Sequence, residues 1–100
     1  MGDMITADLK QICGRFRDGI LGDRESGMMG AAVCYPLQAY LSFLGQPTEL
    51  QEVDLGRTNH VFLTLPSGRV LDPTADQFGN HPKVYVGRPL WFHRDKVRRP

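Results

Sequence analysis

Apolar side chains recur at Ile5, Leu9, Ile12, Cys13, Phe16 and Ile20, steps of three and four that put them on one face of a helix. The pattern predicts a helix over about residues 4–20, with Asp3 or Thr6 capping its start and Gly19 or Gly22 ending it. A linker rich in glycine and charge follows over residues 22–27. Val33, Leu37, Tyr40, Leu41 and Leu44 then repeat the helical spacing, with Pro36 among them. Proline fits the first helical turn and disrupts a helix further in. The regular helix is therefore expected over about residues 35–44, with Gly45 as its stop.

Beyond Gly45 the period changes from helical to alternating. Leu50 to Asp54 reads as a short strand. From Thr58 to Leu65, Val61, Leu63 and Leu65 share one side, and His60, Phe62 and Thr64 share the other. Pro66-Ser67-Gly68 is a turn, Arg69 to Asp72 the returning strand, and Lys83 to Val86 a fourth strand. Pro89 to His93 reads either as a fifth strand or as a segment anchored on Trp91 and Phe92. Two helices followed by several antiparallel strands is an α+β pattern: two helices packed on an antiparallel sheet of about four strands, with the sheet over about residues 50–93 and a basic tail over 94–100.

The 100 residues make one domain, and the 41% hydrophobic and 23% charged content is that of a globular chain with a thin core. No apolar run approaches the ~20 residues of a membrane span, and the start carries neither the charge nor the apolar stretch of a secretory signal. These features set the expectation of a cytoplasmic protein without a membrane partner. A net charge of +1, with basic residues clustered only at Arg94, Lys96, Arg98 and Arg99, argues against nucleic acid as the partner. Two cysteines, Cys13 and Cys34, are too few for a disulfide scaffold.

A thiol enzyme needs a cysteine, a histidine to deprotonate it and a carboxylate or amide to orient the histidine. Cys34, His60 and Asp72 supply these types. The hairpin tests whether they meet. Pro66-Ser67-Gly68 suits the common three-residue loop, with glycine in the left-handed position. Leu65 then pairs with Arg69, and Asp72 falls opposite Phe62, on the face that His60 shares. Asp72 and His60 become diagonal neighbours, about 7–8 Å apart at the backbone, a gap their side chains can close. Cys34, expected near the start of the second helix, would have its thiolate favoured by the free N–H groups there. The residues around positions 33 and 34 would then offer backbone N–H donors to an oxyanion. Taken one at a time, the three residues have plainer readings. Cys34 at the edge of the apolar stripe reads as core, as Cys13 does more strongly, His60 as a core hydrogen-bonding group, and Asp72-Pro73-Thr74 as a turn.

The stretch Asn59-His60-Val61-Phe62-Leu63, a short turn, and Gly68-Arg69-Val70-Leu71-Asp72-Pro73-Thr74-Ala75-Asp76-Gln77-Phe78 resembles the histidine–aspartate half of small bacterial and phage-borne transglutaminase-like and papain-like thiol enzymes. Cys34-Tyr35-Pro36-Leu37-Gln38-Ala39-Tyr40-Leu41 is similar to their helix half, and the resemblance spans about residues 27–87. It implies a papain-like or transglutaminase-like core with Cys34 as nucleophile, His60 as general base and acid, and Asp72 as orienter. The implied activity is a cysteine-dependent hydrolase or acyl transferase acting on an amide or thioester of a protein or peptide substrate, with no cofactor. Asn59, Gln38, Gln77 and Trp91 are expected neighbours of such a site.

The chain departs from the pattern in one place. Related proteins often set their cysteine soon after a glycine, where this chain has Met29, Gly30, Ala31 and Ala32. That departure supports an alternative, a catalytically inactive binding or inhibitory module that engages a protein partner through Trp91, Phe92 and the basic tail. His60, His81, His93 and Cys34 lack paired metal-ligand spacing, so no metal is expected. Ser26, Ser42 and Ser67 lack a nucleophile-elbow pattern, and no glycine-rich phosphate loop is present.

Overall fold

The computed structural model describes residues 2–94. Helix α1 spans Thr6–Leu21 and α2 spans Gly30–Phe43. Four strands follow: β1 Glu49–Asp54, β2 Asn59–Thr64, β3 Val70–Asp72 and β4 Tyr85–Gly87. All neighbouring pairs are antiparallel, in the order β1-β2-β3-β4. Short 3-10 turns, Ala75–Phe78 and Trp91–His93, flank β4. The architecture is α+β, two helices on a four-stranded antiparallel sheet, as the pattern predicts. None of the described helices is long and apolar enough to cross a membrane.

Helix α1 buries Leu9, Cys13, Arg17 and Leu21, one residue per turn, against α2 and the sheet. Arg17 was not foreseen among them. Its guanidinium finds partners within the protein, Asp76 at 3.0 Å and the Lys83 carbonyl at 3.2 Å, and this makes its burial tolerable. Neither expected cap forms. Ile5 occupies the N-cap without a side-chain bond, while Asp3 bonds Ser67 and Arg69 in the β2–β3 hairpin. Gly22, at φ 58°, ends the helix.

Helix α2 starts about five residues earlier than Pro36 suggests. Pro36 lies inside it, on the exposed face, where the carbonyl that loses its partner can meet water. The buried stripe Gly30, Val33, Cys34, Leu37 and Leu41 runs past Pro36 on the opposite side and outweighs the lost bond.

One sheet face carries Val61, Leu63, Leu65 and Leu71 into the main core beneath both helices. The other carries Val53, Phe62 and Val70 into a smaller cluster with Leu55 and Tyr85. That second face is covered by the turn Trp91–His93, which is not a fifth strand. Phe92 is fully buried there, stacked on Phe78 at 4.2 Å between ring centroids, so it is an anchor and not a partner-facing residue. Trp91 stays 53% exposed. Apart from Arg94, the basic tail lies outside the described residues.

The hairpin closes in the predicted register. Thr64 faces Val70, Leu63 faces Leu71, and the Leu65 N–H donates to the Arg69 carbonyl at 2.9 Å. Gly68 holds the left-handed position at φ 93°.

At Gly30, α2 lies close against the sheet. A β-carbon at this position would sit 2.9 Å from the Val61 carbonyl oxygen. Gly19, in the last turns of α1, faces open space. Gly30→Ala is therefore expected to destabilise the fold by about 1–3 kcal/mol through overpacking. Gly19→Ala is expected to stabilise it by about 0.5–1 kcal/mol through helix propensity. Urea-unfolding midpoints of the two variants should move in opposite directions.

Candidate functional site

Strand β2 begins with Asn59 and His60, and β3 ends with Asp72, so the register sets His60 and Asp72 at the same end of the sheet. The His60 Nε2 lies 2.7 Å from Asp72 Oδ2, and both residues are buried. The diagonal pairing read from the loop length is thus closed by the side chains.

The sequence reading missed a second histidine on the same oxygen. His93 Nε2 lies 2.7 Å from Asp72 Oδ2. The Leu90 N–H donates to His93 Nδ1 at 3.0 Å, so Nδ1 holds the lone pair and Nε2 carries the proton given to Asp72. The other carboxylate oxygen, Oδ1, accepts from the Thr74 N–H at 3.0 Å and the Thr74 hydroxyl at 3.4 Å. Burial alone would push the Asp72 carboxyl up, but the hydrogen bonds from His60, His93 and Thr74 outweigh it and hold the group below the usual carboxylate range. A signal was present in the sequence: Trp91-Phe92-His93 places a histidine on a segment whose two aromatic neighbours mark it as packed.

His60, Asp72 and His93 are the group among the described residues whose ligand atoms, all within 4.8 Å, could reach one metal ion. The tautomer of His93 opposes that use. A ligating nitrogen must offer a lone pair while the other ring nitrogen donates, and in His93 the roles are reversed. The cluster fits a hydrogen-bonded carboxylate with two imidazole donors.

From Asp72 the bonding continues outward. The Gln77 amide donates to the Thr74 hydroxyl at 3.0 Å, and its oxygen accepts from the Met28 N–H at 3.1 Å. The Ser26 hydroxyl donates to Asp76 at 2.7 Å, and Asp76 in turn holds Arg17. The turn Ala75–Phe78 thus brackets the chain segment that leads into α2, and Met28 is held at φ 60°. This bracket and the sheet edge enclose an open groove of about 450 Å³, lined by His60, Gly30, Ala31, Asn59, Gln77 and Glu52, among others. Asn59 and Gln77 are at this groove, which Cys34 does not line. Gln38 is not, since it bonds the Thr48 carbonyl, and Trp91 packs on Phe78 and Phe92.

Cys34 is placed elsewhere. Because α2 starts at Gly30, Cys34 lies a full turn inside the helix, away from the free N–H groups that would favour a thiolate. Its side chain is fully buried in the main core and donates to the Val61 carbonyl at 3.5 Å, not to His60. Burial, with the Asp72 and Cys13 charges nearby, pushes its thiol far above the ordinary range. Cys13, in the same cluster, is pushed up to about 12 by burial. The residue that faces His60 is Gly30, whose β-carbon position lies 3.6 Å from Nδ1.

The depressed Asp72 acid gives a pH signature. Its folded value lies below its unfolded one, so its stabilising contribution is complete above the unfolded carboxyl range near pH 4 and is lost as pH falls through the folded value. Asp72→Ala, which strands two buried imidazoles, is expected to cost about 3–5 kcal/mol at pH 7. Urea melts of the wild type and variant should draw together as pH falls from about 4 through the folded Asp72 value.

Comparison with known proteins finds no match: no family model, no curated protein and no solved structure matches the chain.

Proposed function

We propose that this protein is a catalytically inactive binding module with a papain-like or transglutaminase-like arrangement of helix and sheet, engaging a protein or peptide partner at the mouth of α2. One observation carries the reading: the Cys34 sulfur is buried and hydrogen-bonded to Val61, while Gly30, which has no side chain, stands opposite His60. A thiolate nucleophile requires exposure to substrate, a lowered pKa and a base within reach, and Cys34 has none of the first two. The groove beside His60 is open and polar, which suits a surface that receives an extended segment. Half-exposed Trp91, held against Phe78, supplies an apolar contact beyond the histidine cluster.

The 2.7 Å contact of His60 with Asp72 favours a second reading, a cysteine hydrolase or acyl transferase acting on an amide or thioester. In that case Cys34 would have to leave the core to attack the carbonyl carbon, and the C–N or C–S bond of the substrate would break with departure of its amine or thiol. The resulting thioester would be resolved by water or an amine.

Thiol alkylation separates the two. Under the binding reading, neither Cys13 nor Cys34 reacts with iodoacetamide in the folded protein between pH 6 and 8, and both react in urea. The enzymatic reading is restored if Cys34 labels rapidly below pH 8 in the folded state and His60→Ala abolishes that labelling without unfolding the chain.

A further inference from the structure

Helix α2 carries no charged side chain on any side. Its inner face is taken up by the core, through Val33, Cys34, Leu37 and Leu41. The outer face is apolar as well: Ala32, Tyr35, Pro36, Ala39, Tyr40 and Phe43 are all exposed. Exposure alone does not call for this, since the outer side of α1 carries Asp8, Arg15 and Asp18. A helix that is apolar all round belongs between two layers, and α1 and the sheet cover α2 only from within. Phe43 is 85% exposed, Tyr35 58% and Tyr40 42%. At roughly 200 Å² per aromatic side chain, these three and the smaller side chains between them uncover about 500 Å². That matches the largest apolar patches of monomeric proteins, and two such faces laid together bury about 1,000 Å², enough for a specific but weak interface.

The order of side chains along this face makes it its own complement. Ala32, Pro36, Ala39 and Phe43 follow one another at steps of four, three and four, the spacing of a seam between two helices. Let a second α2 lie antiparallel on the first, with the two-fold axis between Pro36 and Ala39. Phe43 of each copy then falls on Ala32 of the other, and Pro36 on Ala39, so the largest side chain meets the smallest at both ends. The charges beside the face fit the same pairing. Phe16 stacks on Tyr40 at 5.4 Å between ring centroids, which sets Arg15 about level with Tyr40. The two helices run antiparallel with the same rise, so five residues further along, Leu21 of α1 is level with Tyr35 of α2. In the pair, Tyr40 of one copy is level with Tyr35 of the other. Arg15 therefore comes to the end of the second copy's α1, where the loop bearing Asp23 and Glu25 begins. Arg15, Asp23 and Glu25 are exposed and have no ion-pair partner among the described residues.

We propose that the outer face of α2 is a self-association surface, on which a second copy of this chain docks its own α2 antiparallel, with Phe43 over Ala32 at the seam and Arg15 against the Asp23–Glu25 loop at the rim. The proposal goes beyond the binding reading of the groove beside His60 and does not depend on it.

Sedimentation equilibrium of the full chain, from about 1 to about 500 µM, is the test. A reversible monomer–dimer equilibrium is expected, with a dissociation constant in the micromolar range that an interface of about 1,000 Å² supports. Phe43→Glu and Ala39→Glu each change an exposed seam position. Each is expected to weaken association at least tenfold while leaving the far-UV circular dichroism of the chain unchanged. Arg15→Glu is expected to weaken it at least threefold, and adding Asp23→Lys and Glu25→Lys to the same chain should restore it. A chain that stays monomeric at every concentration overturns the proposal and leaves the face to a different protein. Folded Phe43→Glu and Ala39→Glu chains that dimerise as the wild type does overturn it by placing the contact elsewhere. An Arg15→Glu chain that dimerises normally, or is not rescued by the reversed loop charges, overturns the antiparallel pairing.

Discussion

A single buried carboxylate organises the end of the sheet where the groove lies. Asp72 accepts from His60 and His93 on one oxygen and from Thr74 on the other. A charge without water is affordable only with such partners. Each partner also belongs to a different part of the chain: His60 to β2, His93 to the turn that closes the second sheet face, and Thr74 to the start of the bracket ahead of α2. Removing the charge would leave those three segments with unpaired polar groups at once. Asp72 therefore orders the groove without touching anything bound in it.

How far the sequence could be read depended on whether the physics was local. The hairpin register needed only Pro66, Ser67 and Gly68, and that short-range chemistry placed His60 and Asp72 on one face. The start of α2 was misplaced because Pro36 is a local signal overruled by tertiary burial. The stripe from Gly30 to Leu41 packs regardless of one lost backbone bond. Arg17 was hidden for the same kind of reason. Its partners, Asp76 and Lys83, are remote in sequence, and a charge among apolar neighbours gives no periodic signal.

Cys34 illustrates the difference between composition and placement. The residue types of a thiol triad are all present, in an order and on elements that suit it. A shift of the helix start by about five residues moves the sulfur from the mouth to the interior and reverses the expected effect on its acidity. The histidine and aspartate side chains do meet. At the helix mouth the groove presents backbone and no nucleophile.

The close seating of Gly30 on Val61 has a consequence for what this groove can become. Any amino acid with a β-carbon at that position collides with a strand carbonyl that is fixed by the sheet and already accepts the Cys34 thiol. No single replacement at residue 30 can equip the imidazole with a reactive group without prising helix and sheet apart. New chemistry opposite His60 must instead arrive from outside the chain, on whatever molecule enters the cleft.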